Sequence, residues 1–413
     1  MGNKVLNNNA CYSLIRSAYA QVLGSNAIAT EDISDFIEKG VAYDTLIADN
    51  AWKDQFTKAL LQQCVKNFYL DTSYREVYND PFYEDASRFG AIQQMISAEA
   101  PAVQESHAWQ TFTSGSSKVG EYTLYLPEIS SSFIGKSSSW ELPVCITDAQ
   151  WDPAFRSVGE LEEFVAFIMM TVDNAIVQHL EDCNSMNRNN FIGEKIAYAA
   201  SQSATGVHVI DLVALYRAET GDETITTVEG FQADDKCMRY AAETLDKYMT
   251  YLTRQSVLFN TEGKKKFTPK SRLVCQVLQH FESRMKSVSY SDAFNFDFVK
   301  LPLHDTVPYW QGFGLASATT GAIDFDEISS IKVKTAGGDT VSQSGIVAFM
   351  CDKWAIMHTI KDDRVAVTRH DPEALTQYYY QFRDQRWNNL QQNALVFVLN
   401  DVSTQNNSKK VRQ

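Results

Sequence analysis

The residue types that could bind a metal or act as a nucleophile are scattered along this chain rather than grouped. The seven cysteines are odd in number, and no two of them lie closer than 38 residues, which excludes the CxxC spacing of zinc and redox sites. The seven histidines show neither HxH nor HxxxH spacing, the patterns that bring two imidazoles to one metal. We therefore predict reduced, buried thiols, structural histidines and no bound metal.

Candidate catalytic motifs are also incomplete. The Gly-Lys-Ser at 135–137 ends like a phosphate-binding loop, but Ser130 stands where that loop requires its first glycine. No serine sits in a Gly-x-Ser-x-Gly elbow, and the acidic pairs at 162–163 and 362–363 are sequence neighbours that point in different directions. We expect no catalytic residue and no cofactor. The alternative left open is an enzyme whose site is assembled from distant residues.

Large amphipathic side chains concentrate instead near the C-terminus, in the stretch TQYYYQFRDQRWNNLQQNALVFV at 376–398. Read as a strand, the even positions 378–382 share one face and the odd positions 379–383 share the other. Tyrosine, tryptophan and arginine are enriched where protein meets protein. We predict that the even face packs on the core, and that another molecule is contacted by Tyr379, Arg383 and Trp387.

The composition is that of a globular, acidic protein. The chain has 413 residues, is 44% apolar and carries a net charge of −14, which predicts two or three units with real cores and only weak contacts with DNA. The run Lys264-Lys265-Lys266 is interpreted as a solvated loop tip. The longest apolar run, 164–170, is far short of the ~20 residues of a membrane span, and the N-terminus lacks a signal-peptide core. We expect a cytoplasmic chain without membrane contact.

The first half of the chain has the periodicity of helices. Amphipathic helices are predicted near 30–40 and 52–68. A capping box formed by Ser157 and Glu160 then opens a long apolar stripe, which predicts one helix over 157–186.

The second half combines helix and strand. A helix is predicted over 234–252, followed by a β-prone segment at 271–278. From Ile346 onward the pattern is nearly all strand, with turns predicted at 351–353 and 361–363. The predicted fold class is therefore α+β.

Between 107 and 148 the sequence pattern changes to short β-prone segments separated by Ser- and Gly-rich stretches. The economical interpretation is a long hairpin with a serine-rich tip. An isolated two-stranded ribbon is marginal in water, so we expect it to lie against another molecule. The aromatic residues expected to make that contact are Phe112, Tyr122, Tyr125, Phe133 and Trp140.

The order of these pieces resembles the major capsid protein of tailed bacteriophages, the Hong Kong 97-type fold, over nearly the whole chain. Two stretches are more specifically similar to capsid proteins of phi29-like podophages. One is the Glu-x-Phe-Val pattern ending at Val165, which opens the long helix. The other runs from an acidic-Lys-Trp turn through Arg369-His370-Asp371-Pro372 and the tyrosine run to the strand ending at Val398.

The resemblance implies a division of the chain into the parts of that fold. These are an N-terminal arm with helices over 1–106, an extended loop (β-hairpin) over 107–150, a P domain with its spine helix over 151–235, an A domain over 236–345, and return strands of the P domain with a C-terminal tail over 346–413.

The resemblance also implies a function, that of a structural subunit rather than an enzyme. The chain would self-assemble, in the cytoplasm of a bacterial host, into pentamers and hexamers of an icosahedral phage head enclosing double-stranded DNA. Expected partners are further copies, a scaffolding protein and a portal protein, with DNA in weak contact only and no membrane. The main alternative is an encapsulin-like compartment or another virion shell protein of the same fold.

Some members of the wider fold family join copies by an isopeptide bond between a loop lysine and an asparagine. The corresponding residues here would be Lys118 or Lys136 with Asn388 or Asn389. We do not expect the bond, because the phi29-like relatives are not known for it and loop lysines are ordinary solubilising residues.

Overall fold

The computed structural model describes residues 81–82, 93–98, 129–135, 137–147, 158–202, 205–291, 304–311, 324–370 and 375–402. The helices predicted near 30–40 and 52–68, and the positions Phe112, Tyr122 and Tyr125, lie outside these residues. The described helices are α1 (Val158–Ser201), α2 (Thr205–His208), α3 (Leu212–Thr220), α4 (Val228–Ala233), α5 (Asp235–Leu252), α6 (Gln279–Ser291) and α7 (Phe325–Ile328).

The described strands form four sheets, so helix and sheet are mixed and the predicted α+β class is confirmed. None of the described helices combines the length and apolarity that crossing a membrane requires. The strands are β1 (Gln93–Ala98), β2 (Ile129–Ile134), β3 (Ser138–Thr147), β4 (Val209–Asp211), β5 (Leu273–Leu278), β6 (Asp305–Val307), β7 (Ile331–Lys334), β8 (Thr340–Gln343), β9 (Ile346–Asp352), β10 (Ile356–His370), β11 (Leu375–Asn388) and β12 (Ala394–Val398).

Helix α1 begins where the capping box predicts but continues 15 residues beyond the predicted end, to Ser201. Its 44 residues span about 66 Å at ~1.5 Å per residue. The polar run at 187–190 suggests a helix end, yet Arg188 and Asn189 are buried, and both donate hydrogen bonds to the carbonyl of Trp310. The helix therefore continues through this polar run, whose two buried side chains hydrogen-bond to a residue distant in sequence.

The main core surrounds a five-stranded sheet with the order β4-β12-β9-β5-β6. Strand β9 pairs antiparallel with both β5 and β12, and every residue of β9 and β12 is buried. The outer strands β4 and β6 run parallel to their neighbours. Residues from α5 and α6, such as Leu245 and Phe281, belong to the same core. The predicted P-domain segment 151–235, the predicted A domain 236–345 and the predicted return strands 346–413 thus contribute residues to one core.

A three-stranded antiparallel sheet, in the order β10-β11-β3, lies beside this core. The turn predicted at 361–363 is wrong, because β10 continues without a break from Ile356 to His370. Its Lys-Asp-Asp sequence is typical of a turn, but here it lies at a β-bulge, where the register with β11 shifts between Ile360 and Asp362. The turn predicted at 351–353 comes two residues later, because β9 runs to Asp352 and a short 3-10 helix at Lys353–Ala355 follows it.

The described part of the predicted hairpin differs from the expectation. Strand β2 pairs antiparallel with β1, which precedes the 107–150 range, whereas β3 pairs with β11. The two strands of 107–150 that are described do not pair with each other. Strand β3 belongs instead to the three-stranded sheet, where Trp140 lies opposite Phe382 and its ring stacks on that side chain. Strands β1 and β2 are then left as a separate two-stranded ribbon.

Candidate functional site

The ribbon formed by β1 and β2 exposes one apolar face. In an antiparallel pair, residues directly opposite each other share a face, so the register places Phe133, Ile129 and Ile96 on the same side. Their exposed fractions are 68%, 63% and 65%. We call these three side chains the apolar ribbon face. Contiguous apolar exposure of this kind marks interaction surfaces in soluble proteins.

The opposite face of the ribbon lies on the rest of the chain. Met95 Sδ is 4.0 Å from Asn389 Nδ2 at the end of β11. The Ser130 hydroxyl hydrogen-bonds to the carboxylate of Glu262. Burial alone would raise the pKa of that carboxyl, but Lys266 and, to a smaller extent, Ser130 lower it. These contacts fix which side of the ribbon is inward, and they turn the apolar ribbon face outward.

Strand β11 has the two-faced pattern that the sequence predicts. Tyr378, Tyr380 and Phe382 are buried, while Tyr379 is half-buried and Arg383 is exposed. The buried side chains hold the strand in the sheet, since the ring of Phe382 stacks on Trp140. The odd face of this half of β11 is thus the more open of the two.

The two candidate tryptophans have less surface to offer another molecule. The ring of Trp140 stacks on Phe382, and its centroid also lies 4.3 Å from that of His179 on α1. Trp387 is only 8% exposed. Beyond Asp384 the odd positions of β11 become covered, and nearby the His358 N–H donates to the carbonyl of Phe82 at 3.2 Å. Both rings mainly pack within this chain.

A histidine and a cysteine meet on α1. His179 Nε2 lies 3.4 Å from Cys183 Sγ, one helical turn away. Burial raises the pKa of the Cys183 thiol and lowers that of His179. The nearby Asp384 carboxylate is bound by Arg386 and by the Ser138 hydroxyl. A thiol that stays protonated is a poor nucleophile, so this pair has the character of a structural contact.

Metal and crosslinking chemistry gain no support from the described residues. They contain no group of three or more His, Cys, Asp or Glu side chains that could hold a metal ion. The amide of Asn388 donates to the carbonyl of Asn187 at 3.1 Å, and Asn389 Oδ1 accepts from the Gln391 N–H at 3.0 Å. Both asparagine amides are thus engaged within their own chain, while Lys118 and Lys136 lie outside the described residues.

Two members of the apolar ribbon face, Ile96 and Ile129, were not among the predicted contact residues. The signal for Ile129 is present in ISSSF, where Ile129 and Phe133 alternate with serines at the spacing of a strand. The signal for Ile96 is weak, because QQMISA contains few of the residue types that favour strands. The pairing of the two segments only emerges from the folded chain.

A long helix, a mixed five-stranded sheet and an antiparallel three-stranded sheet carry a ribbon that turns an apolar face outward, an arrangement suited to contact with other chains. The sequence matches the family model described as Phi29-like phage major capsid protein over residues 27–398. The chain therefore belongs to the Phi29-like phage major capsid protein family. It is a structural protein of the virion capsid that self-assembles into a shell, and not an enzyme, as the sequence predicts.

Solved phage structures are similar at low identity. The capsid structure of Staphylococcus phage Andhra has 8% identity and a TM-score of 0.48, covering 78% of this chain and 84% of that one. The structure of head fiber and inner core protein gp22 of native bacteriophage P68 has 8% identity and a TM-score of 0.46, covering 76% of this chain and 83% of that one. The capsid structure of the cyanophage P-SCSP1u has 13% identity and a TM-score of 0.38, covering 82% of this chain and 94% of that one. No curated protein matches.

Proposed function

We propose that the chain assembles into the pentamers and hexamers of an icosahedral phage head, and that the apolar ribbon face of each copy lies on a neighbouring copy. The observation that carries this proposal is the outward exposure of Ile96, Ile129 and Phe133 on one face of a two-stranded ribbon. A shell is closed by repeating one such contact under symmetry.

The size of the apolar ribbon face suits a shell contact. Burying one large apolar side chain stabilises by about 1.5–3 kcal/mol, so covering the exposed parts of three contributes about 4 kcal/mol. A single contact of this size is weak, because association itself costs several kcal/mol. Many such contacts, repeated over a closed shell, stabilise an assembly whose individual subunits stay soluble.

The odd face of β11 supplies a second contact in this proposal. Arg383 is exposed and Tyr379 is half-buried, and both are residue types enriched at interfaces. Trp140 and Trp387 act indirectly, because they stabilise the sheet that carries Tyr379 and Arg383. Phe112, Tyr122 and Tyr125 remain predictions for contacts made by the segment that joins β1 to β2.

The remaining partners follow from the class of protein and its charge. We expect a scaffolding protein to guide closure and a portal protein to occupy one position in the shell, with assembly in the host cytoplasm. The net charge of −14 disfavours tight adhesion to packaged DNA, since like charges repel. Contact with the genome is therefore weak and local.

The test replaces the three side chains of the apolar ribbon face by serine in one full-length variant, Ile96→Ser, Ile129→Ser and Phe133→Ser. The matched control is Gln94→Ser, which changes an already polar side chain on the same face, directly opposite Phe133. Each protein is expressed with and without the proteins encoded beside it, and particles are measured by sedimentation and electron microscopy.

The triple variant should remain folded, with an unchanged circular dichroism spectrum, but form no closed shells. The Gln94→Ser control should assemble as the natural chain does. Normal shells from the triple variant would show that the apolar ribbon face is not an assembly contact.

A further inference from the structure

The loop between α5 and β5 exposes a second surface. Ser256 and Lys266 form an antiparallel bridge, with both N–H to carbonyl bonds at 3.0 Å. Side chains alternate across such a pair. Lys266 points inward, where its Nζ donates to the carbonyl of Gln391 at 3.0 Å. The flanking Val257 and Phe267 point outward and are 42% and 51% exposed.

This surface is basic, although the protein is acidic. Residues 253–272 contain six Lys or Arg side chains and one acidic side chain, Glu262, within a chain of net charge −14. Glu262 pairs with the inward Lys266 at 2.8 Å. Arg272 pairs with Asp352 at 3.1 Å, whereas the exposed Arg254 and Lys265 lie within three residues of Val257 and Phe267, respectively, in the sequence. The basic apolar surface consists of Arg254, Val257, Lys265 and Phe267, all of them exposed.

The loop is held in place by the core, which changes its interpretation as a solvated tip. The Nζ of Lys195, a fully buried residue of α1, donates to the carbonyl of Phe259 at 2.9 Å. Tyr198 Oη donates to the carbonyl of Thr261 at 3.2 Å, and the Thr268 N–H donates to the carbonyl of Leu252 at 2.9 Å. A surface fixed in advance loses little conformational entropy when a ligand binds.

The chain contains a segment of complementary chemistry. TEDISDFIEKG at 30–40 has four acidic residues and one basic residue. Read as a helix, it places Ile33, Phe36 and Ile37 on one face, with carboxylates beside them. This segment lies outside the described residues. An acidic amphipathic helix is complementary to the basic apolar surface, because its apolar stripe suits the exposed apolar side chains and its carboxylates suit the basic ones.

We propose that residues 30–40 of one copy bind the basic apolar surface of a neighbouring copy. The apolar stripe covers Val257 and Phe267, and the carboxylates lie toward Arg254 and Lys265. The proposal rests on self-assembly of the chain, but not on the apolar ribbon face. The contact links the N-terminal part of one subunit to the central core of the next.

Disulfide trapping between two preparations tests this contact. One full-length variant carries Phe36→Cys and the other carries Val257→Cys. They are mixed, assembled and mildly oxidised, then analysed on denaturing gels without reductant. The natural chain, which already has seven cysteines, gives the background. We expect a band of two joined chains in the mixture that exceeds both the background and either variant alone.

A second mixture, of Ile96→Cys with Val257→Cys, tests the ribbon as the occupant. The proposal is overturned if this mixture forms the joined band instead, or if Phe36→Cys and Val257→Cys react only when both are in one chain. It is also overturned if the first mixture gives background levels while normal particles form. Absence of particles from the natural chain would instead contradict the proposed assembly itself.

Charge exchange gives an independent readout in the full chain. Arg254→Glu should lower the yield of particles without changing the melting temperature, because Arg254 is exposed. Adding Asp35→Lys to the same chain should restore the yield. Particle yields that are equal for the natural chain and Arg254→Glu would contradict the contact.

Discussion

Trp140 and Phe382 stack with their ring centroids 4.2 Å apart and their planes at 19°. The pair joins β3 to β11, and His179 of α1 lies 4.3 Å from the Trp140 ring. One aromatic contact therefore connects the three-stranded sheet to the long helix. This arrangement positions β11, whose odd face is proposed to meet a neighbouring copy.

Trp140→Ala should lower the free energy of unfolding by about 2–3 kcal/mol, somewhat less than for a fully buried tryptophan. Trp140→Phe should cost less, because it keeps an aromatic ring against Phe382. Urea denaturation measures both, with Glu141→Ala at an exposed position as the control. Equal stability of Trp140→Ala and the control would mean that the stack does not hold the sheet.

Gly345 is required by both conformation and space. Its φ is +72°, and a Cβ there would lie 2.0 Å from the carbonyl oxygen of Leu399. Gly221 has a similar φ of +73° but open space around it. Gly221→Ala should cost about 1 kcal/mol, the ordinary price of a left-handed non-glycine residue, whereas Gly345→Ala should cost several kcal/mol more. Thermal unfolding compares them, and similar melting temperatures would contradict the clash.

Stability should fall in acid because His208 resists protonation. Burial, and then the charge of Lys195, lower the pKa of His208 from 6.5 to about 4. The unfolded chain binds this proton near pH 6.5 and the folded chain near pH 4, so acidification across this window favours unfolding.

The His208→Gln variant isolates this effect. Its free energy of unfolding should decline less than that of the natural chain between pH 6.5 and 4, by about 2 kcal/mol. His370→Gln, at an exposed histidine, should follow the natural chain. Parallel pH profiles for the natural chain and His208→Gln would refute the assignment.

Asp352, the last residue of β9, contacts residues that lie just before β5 and just before β10. One oxygen accepts from the Trp354 N–H at 3.0 Å, and the other accepts from Arg272 Nη2 at 3.1 Å. The Arg272 guanidinium also lies over the Trp354 ring, 3.8 Å from its centroid. Because Asp352 is 1% exposed, Asp352→Ala should destabilise by about 3 kcal/mol.

Asp352→Asn should cost about half as much, since its amide oxygen can still accept from Trp354. The exposed Asp339→Asn should change stability by less than about 0.5 kcal/mol. Chemical denaturation ranks the three variants. A loss no larger for Asp352→Ala than for Asp339→Asn would show that the ion pair contributes nothing measurable.

Much of the described fold could be predicted where local pattern and tertiary environment agree. Helix α5 was expected because apolar side chains recur every three to four residues after Asp234, which caps the helix. Strand β9 was expected because Ile346 to Met350 is a continuous run of apolar side chains. These patterns required no knowledge of partners.

The misses lie where tertiary partners override the local pattern. The polar run at 187–190 does not end α1, since Arg188 and Asn189 bond to Trp310, more than 120 residues away. The Lys-Asp-Asp at 361–363 does not turn the chain, since β11 pairs with β10 on both sides of the bulge. Local composition carries no information about such distant groups.

The candidate site shows a second limit of prediction from the sequence, which concerns what covers each strand face. Alternation predicts which side chains share a strand face, and it identified the buried face of β11. Phe133 was instead expected as an aromatic residue of the serine-rich hairpin. It does not predict what covers a face. Trp387 was expected on an open surface, but its ring is covered within the chain. Ile96 became a candidate only through the pairing of β1 with β2.

The most direct test of the central claim is a cryo-electron microscopy map of particles assembled from the natural chain. We predict closed shells of pentamers and hexamers in which Ile96, Ile129 and Phe133 of each copy are buried against a neighbouring copy. A map of closed shells in which these three side chains face solvent would contradict the account.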